Sequence, residues 1–357
     1  MDEDLDIEQP AALIAYLRQT GRIGRKEQPT IRVLSGGVSN RTVLVVRPGG
    51  QSWVLKQALP KLRVAVDWFS DPARIHREAL GARWLAHIIP TQGFAAPVFE
   101  DYDHHLLAMR AVPVPHDNWK ELLLAGRLES GHVEQFGRLL GAIHREFSTG
   151  TERHDEAVRA FGDRSFFESL RLEPYYSYTA EQVPAAANFL RGLIEETRAT
   201  RLTLVHGDYS PKNILVYWGA KSKPQDYWSP WGALVLLDHE VMHVGDPAFD
   251  LGFSLTHLLS KAHHLRAHRA DFAAAATLYW DTYAATVGDV PWRANLEERA
   301  ARHTLACLLA RVAGRSPLEY LDAAKRARQR DVVLALLAQP PTTVAALVAG
   351  FIANVEL

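Results

Sequence analysis

At 357 residues, with 47% hydrophobic and 23% charged side chains, the chain is too long for one small core and suits one large domain or two lobes. A formal net charge of -1 gives no basic footprint for nucleic acid or for an anionic membrane surface, so neither is an expected partner. The lone cysteine, Cys307, excludes an intrachain disulfide and any metal site of paired cysteines.

The acidic opening from Met1 to Glu8 is unlike a secretory signal. A short amphipathic segment, Ala12 to Gln19, comes first. Residues Ile31 to Lys56 then alternate as strands do, with Ile31 and Val33, Val43 and Val45, and Trp53 to Leu55 marking three strands. Turns at Ser35-Gly36-Gly37 and Pro48-Gly49-Gly50 separate them, which implies an antiparallel sheet. A helix is expected over Ala73 to His87, and two further strands over Pro97 to Met109. From Asn118 the apolar spacing changes to three and four, predicting helices over Glu134–Phe147, Ala185–Arg198, Ala248–Ala262, Arg269–Val287, Leu296–Val312 and Leu318–Ala338. Short β-type runs, Leu202–Val205, Ile214–Tyr217 and Leu234–Leu237, lie among them. The apolar C-terminal stretch, Val332 to Val355, is broken by Gln339-Pro340-Pro341, and neither half is long enough to cross a bilayer. The expectation is an α+β protein of two lobes, a small antiparallel β-rich one over 1–111 and a larger helical one over 112–357, divided where Val112-Pro113-Val114-Pro115 stiffens the chain. A cytoplasmic location follows as the default.

Chemistry concentrates in three places. In His206-Gly207-Asp208-Tyr209-Ser210-Pro211-Lys212-Asn213 an apolar strand leads into a glycine turn bearing an aspartate, with an asparagine five residues on and a second strand leaving. Polar groups on a short loop between buried strands are held rigidly, as catalysis requires. The next apolar run delivers Asp238 and then Glu240. A hydroxyl nucleophile needs a carboxylate to orient it and take its proton, which suits Asp208. A hard divalent cation needs carboxylate and amide oxygens, which suits Asn213 and Asp238. Either segment alone is matched by an ordinary Asx turn; the two together, in order around a strand pair, are not.

Upstream, Leu34-Ser35-Gly36-Gly37-Val38-Ser39-Asn40 sits between two strands, where its glycines let backbone N–H groups approach phosphate oxygens. No Gly-Lys-Ser/Thr follows, so it is not a Walker A loop, and taken alone it reads as a hairpin turn. Lys56 ends the third strand, and Glu78 lies on the helix expected to pack behind the sheet; paired, they would hold an ammonium against nucleotide phosphates. Singly, each reads as an ordinary solvated side chain.

These segments together resemble the aminoglycoside phosphotransferase and choline kinase family, with its protein-kinase-like fold, over about Ile31 to Leu321. The resemblance implies ATP and Mg2+ as cofactors and a small-molecule acceptor. It implies Asp208 as the base, and Asn213 and Asp238 as metal ligands. Asp238-His239-Glu240 stands where protein kinases carry Asp-Phe-Gly; this variation is similar to methylthioribose kinases and adds Glu240 as a metal ligand. Lys56 and Glu78 become the phosphate lysine and its partner, with Ser35, Gly36, Gly37, Ser39 and Asn40 over the phosphates. Met109, Arg110 and Val112 become the hinge that adenine meets, and Asp250 in Gly245-Asp246-Pro247-Ala248-Phe249-Asp250 a support for the catalytic loop. Ser210 replaces the lysine that protein kinases keep two residues after the aspartate, which favours a small acceptor over a protein. His239, Tyr209, Arg311 and Arg315, with Trp119, are candidate acceptor contacts. The sequence leaves the acceptor open among sugars, amino alcohols and antibiotics, and leaves ATP against GTP, the oligomeric state and the role of the Trp218–Gly232 connection open too. Rival readings are a protein kinase or nucleotidyl transferase on the same fold, and an inactive nucleotide-binding module.

Overall fold

The computed structural model describes residues 5–34, 37–64, 66–219 and 232–356. They form two compact units, Met1–Val114 with Leu237–Glu240, and Pro115–Leu236 with Val241–Leu357. The expected division at 111/112 is a single cut, whereas the chain here returns to the first unit for the four residues that carry Asp238 and Glu240. Ser35 and Gly36 lie outside the described residues, as do 220–231 with Tyr227, Trp228 and Trp231.

The first unit is an antiparallel sheet of β1 (Thr30–Val33), β2 (Asn40–Val46), β3 (Trp53–Ala58), β4 (Pro97–Asp101) and β5 (Leu106–Arg110), in the order β1-β2-β3-β5-β4. Helix α1 (Pro10–Gln19) covers one face and α2 (Arg74–Leu85) the other. The period-2 pattern decides which side chain goes where. In β5, Leu106 and Ala108 join Leu13 and Leu17 of α1 in one cluster, while Leu107 and Met109 join Ile75 and Ala79 of α2 in another. Leu55 of β3 belongs to the α1 cluster, so Lys56 leaves the sheet on the α2 face. Each fully buried aliphatic side chain contributes about 1.5–3 kcal/mol, so a one-residue slip of β3 would exchange Leu55 for an ammonium at the core.

In the second unit β6 (His116–Asn118), α3 (Trp119–Leu124) and α4 (Ser130–Glu146) are followed by α5 (Glu152–Phe161), α6 (Ser165–Phe167), α7 (Tyr178–Gln182) and α8 (Ala187–Ala199). Between α6 and α7 the run Glu168–Ser177 is π-helical and contains Pro174. The wider turn accepts a residue that lacks an N–H, and the proline hid this segment from the search for helical spacing. Strands β7 (Thr203–Val205), β8 (Ile214–Tyr217), β9 (Ala233–Leu236) and β10 (His243–Gly245) lead to α9 (Pro247–His264), α10 (Arg269–Val287), α11 (Leu296–Ala313), α12 (Ala323–Leu337) and α13 (Val344–Glu356). The expected helix from Leu318 begins instead at Ala323, where the Asp322 carboxylate accepts from the Lys325 N–H at 2.8 Å and caps it. Among the described residues no helix is long and apolar enough to cross a membrane.

Helix α9 is buried from Pro247 to His263, polar residues such as Asp250, His257 and Lys261 included. It lies so close to α11 that a Cβ on Gly252 would stand 2.5 Å from His303 Cβ and 2.6 Å from its carbonyl carbon. Gly252→Ala therefore has to push two buried helices apart, and should cost about 1–3 kcal/mol of stability. Urea unfolding measures this; an unchanged midpoint would show that the helix contact is softer than the geometry requires.

Candidate active site

Two clusters of buried polar groups are built by different elements. In the first unit, Lys56 Nζ donates to Glu78 Oε1 at 2.7 Å and to Asp238 Oδ1 at 2.9 Å. Glu78 projects from α2 on the face that Ile75 and Ala79 bury, which brings it to Lys56. Burial works against the Lys56 ammonium, but the Asp238 and Glu78 carboxylates outweigh it and hold its pKa above the ordinary value. Burial pushes the Glu78 carboxyl up to about 7, against the pull of Lys56. Asp238 has φ 69, a left-handed conformation costly for a residue with a Cβ. The strain goes with an aspartate held at one position rather than placed by a regular strand.

Arg74 organises the other side of this cluster. Fully buried, its guanidinium donates to Glu240 Oε2 at 3.1 Å, to the Leu59 carbonyl at 3.0 Å, to the Ser70 and Asp71 carbonyls at 3.2 and 3.1 Å, and to the Ser39 carbonyl. Asn40 Nδ2 also donates to Glu240 Oε2, at 3.3 Å. One side chain thus ties the end of the glycine loop, the segment after β3 and the Asp238–Glu240 run together. Nothing in sequence reasoning selected Arg74; its place four residues before Glu78 on one helix was the available signal.

Oxygen atoms of Glu78, Asp238 and Glu240 lie within 4.8 Å of one another. Glu78 Oε2 and Asn40 Oδ1 are buried without a hydrogen-bond partner. An all-oxygen donor set of this kind fits a hard divalent cation such as Mg2+. Of the expected ligands, Asp238 and Glu240 belong here, with Glu78 added; Asn213 belongs to the second unit. Gly37, Ser39 and Asn40 are described at the end of the glycine loop, the last of them buried. Met109 and Val112 are buried and Arg110 exposed at the end of β5.

In the second unit the loop 206–213 is fastened from beneath. The fully buried Asp250 accepts from the His206 N–H at 2.7 Å, the Gly207 N–H at 2.8 Å and His144 Nε2 at 3.3 Å. Burial would raise its pKa, but the hydrogen bond and charge of His144 and the His206 contacts hold it below the ordinary value. Gly207 has φ 78, and a Cβ there would meet Val241 Cγ2 at 2.9 Å. Asp208 Oδ2 receives Asn213 Nδ2 at 2.7 Å and Arg171 Nη2 at 2.8 Å. Arg171 Nε also donates to the Gly207 carbonyl at 2.9 Å. Among the described residues no hydrogen bond reaches Asp208 Oδ1. Because Asn213 spends its amide nitrogen on Asp208, its carbonyl oxygen is the end suited to a cation. Arg171, on the π-helical run, had no sequence signal.

The five expected acceptor contacts are placed unevenly, and Trp119 is fully buried with its ring 4.8 Å from that of Phe136. Tyr209 is fully buried, stacked on Phe136 at 4.3 Å, with its hydroxyl donating to the Phe136 carbonyl at 2.7 Å. That is a core position rather than a surface an acceptor could reach, and the expectation for Tyr209 is corrected accordingly. His239 is buried in the first unit. Arg311 is buried against Tyr175, and Arg315 pairs with Glu173 at 2.7 Å.

The sequence matches the family described as phosphotransferase enzyme family over residues 30–287, and the chain belongs to that family. Its fold is kinase-like. Amicoumacin kinase hAmiN, solved with AMP-PNP and Ca2+, is similar at TM-score 0.57 and 12% identity, over 92% of this chain and 94% of the other. Choline kinase LicA from Streptococcus pneumoniae is similar at TM-score 0.53 and 13% identity, over 91% and 99%. APH(2")-IIia, solved with GDP and kanamycin, is similar at TM-score 0.52 and 15% identity, over 93% and 98%. No curated protein sequence matches the chain.

Arg74→Met would leave Glu240 buried without its cation, which should cost about 3–5 kcal/mol. Denaturant unfolding of the full chain tests this, and a loss below about 1 kcal/mol would show that Asn40 alone satisfies Glu240.

Proposed function

We propose that the protein transfers the γ-phosphate of ATP to a hydroxyl of a small molecule. The observation that carries this reading is the Asp208 carboxylate: Oδ2 is held by Asn213 and Arg171, and Oδ1 is left to accept a proton. A carboxylate fixed through one oxygen keeps a defined direction for the other, which is what a substrate hydroxyl needs.

In this proposal Lys56 binds phosphate oxygens, kept in place by Glu78. The Gly37, Ser39 and Asn40 backbone lies over the phosphates, and Met109, Arg110 and Val112 receive the base. Asp238, Glu240 and the Asn213 carbonyl hold Mg2+. Bound there, Mg2+ neutralises charge on the phosphate oxygens during transfer. Asp208 orients the acceptor hydroxyl and takes its proton as the new P–O bond forms and the bond to the departing ADP oxygen breaks. Ser210, in place of a protein kinase's lysine, supports a small acceptor. Family membership supports the phosphoryl reading over a nucleotidyl one. Reliance on ATP and Mg2+ is consistent with a cytoplasmic location.

Asp208→Asn should lower turnover on the order of 10²–10⁴-fold while the variant still folds and keeps its nucleotide affinity, its melting temperature falling because Arg171 loses its buried partner. γ-Labelled ATP in a screen of sugars, amino alcohols and antibiotics supplies the assay. Near-normal turnover in the variant removes Asp208 from the chemistry, and label transferred from the α position instead makes the enzyme a nucleotidyl transferase.

A further inference from the structure

Buried cations in the second unit lack an anion of their own. Lys261, on α9, is fully buried, yet among the described residues its ammonium makes a single hydrogen bond, 3.3 Å to the carbonyl of His257 in the same helix. Its ammonium stands 5.5 Å from the Tyr320 ring centroid. Arg311, on α11, is also buried, and its bonds go to neutral groups: Tyr175 Oη at 3.0 Å, Ser316 Oγ at 2.9 Å and the Ser316 carbonyl. Among the described residues neither cation is ion-paired. Of the nearby carboxylates, Glu319 is taken by Lys120 and largely exposed, and Glu121 is exposed as well. An isolated buried charge is expensive, and protein interiors normally supply the counter-charge.

The neighbouring polar atoms have the same unmet need. Arg311 Nε and Tyr320 Oη are buried without a hydrogen-bond partner. Apart from the oxygen lone pairs of Tyr320, this set only donates, and a group of unanswered buried donors and cations selects an oxyanion. Burial, then the charges of Lys120 and Arg311, pull the Lys261 pKa down to about 7, with Glu319 opposing; an anion among these groups would reverse that. The cluster is also joined to the proposed base. Arg311 and Arg171 stand 5.7 and 5.8 Å from the Tyr175 ring centroid, and Arg171 is the residue that holds Asp208.

We infer that Lys261, Arg311 and Tyr320 form an oxyanion subsite, and that the acceptor hydroxyl belongs to a molecule carrying a carboxylate or a phosphate ester. The identity of the occupant as acceptor rests on the phosphotransfer reading; the anion site itself does not. Such a lining repels a cationic acceptor and discriminates by charge before any hydroxyl reaches Asp208.

The test uses the full chain without nucleotide. Calorimetric titration with inorganic phosphate and with gluconate, at constant ionic strength set by chloride, is compared between the wild type and Lys261→Met. At least one of the two anions should bind saturably, and the variant should bind it about tenfold or more weakly. Tighter phosphate identifies an ester, tighter gluconate a carboxylate. Because methionine removes an unpaired buried charge, the variant should melt no lower than the wild type in the absence of anion. If it fails to fold, Tyr320→Phe, which removes one hydroxyl, should still weaken binding severalfold. No binding beyond that of chloride overturns the inference, as does equal binding by wild type and folded Lys261→Met, or by Tyr320→Phe where it stands in. Anion binding with unaltered turnover of Asp208→Asn would leave the subsite in place and remove the kinase reading alone.

Discussion

Every charge that this protein buries has to be answered, and the answers determine where its functional groups sit. An unpaired ion in an apolar surrounding costs several kcal/mol, comparable with the net stability of a domain. Lys56 is answered by Glu78 and Asp238, Glu240 by Arg74, and Asp208 by Arg171. Asp250 is answered mainly by dipoles, two backbone N–H groups of the loop it supports and the ring of His144. His144 in turn meets the Tyr283 hydroxyl at 2.9 Å, which fixes the ring between the two. These pairings are weak contributors to net stability but strong constraints on position, since moving one member exposes the other.

The sheet of the first unit shows how such a constraint follows from pattern. Val43, Val45 and Leu55 are claimed by the α1 face, which obliges Lys56 to emerge toward α2. Helix α2 then offers Ile75 and Ala79 as its packing stripe with Glu78 beside them, and Arg74 one turn earlier. Packing and ion pairing therefore specify the same register, which is the consistency between levels that a foldable sequence needs.

What could be read from the sequence was what local pattern determines. Lys56 closes a strand, Asp208 and Asn213 share one short loop, and Asp238 follows an apolar run; each is visible within about ten residues. Arg74 and Arg171 are not visible in that way, because an arginine on a helix looks the same whether it faces water or a buried carboxylate. Tyr209 is hidden for a related reason: it adjoins Asp208 in the chain, but the turn at Gly207 sends it inward against Phe136. The π-helical run is not legible in the sequence because Pro174 interrupts the helical spacing.

Ser210 shows what such a reading leaves out. Set beside the protein-kinase pattern, it reads as a cation missing from the neighbourhood of the aspartate. In space Ser210 is buried, and Lys212 lies outward on the short turn Pro211–Asn213. A cation nevertheless stands 2.8 Å from Asp208, supplied by Arg171 from a segment that the chain left before β7. Replacing an ammonium on the loop by a guanidinium from outside it changes the geometry as well as the address. Arg171 grips the Gly207 carbonyl and the Asp208 carboxylate together, so it fixes the loop backbone and the reacting side chain as one piece. An ammonium two residues along the same loop would be carried by whatever motion the loop has. The charge beside the aspartate comes here from Arg171 rather than from the loop, and a comparison of linear motifs registers only the serine that stands on the loop.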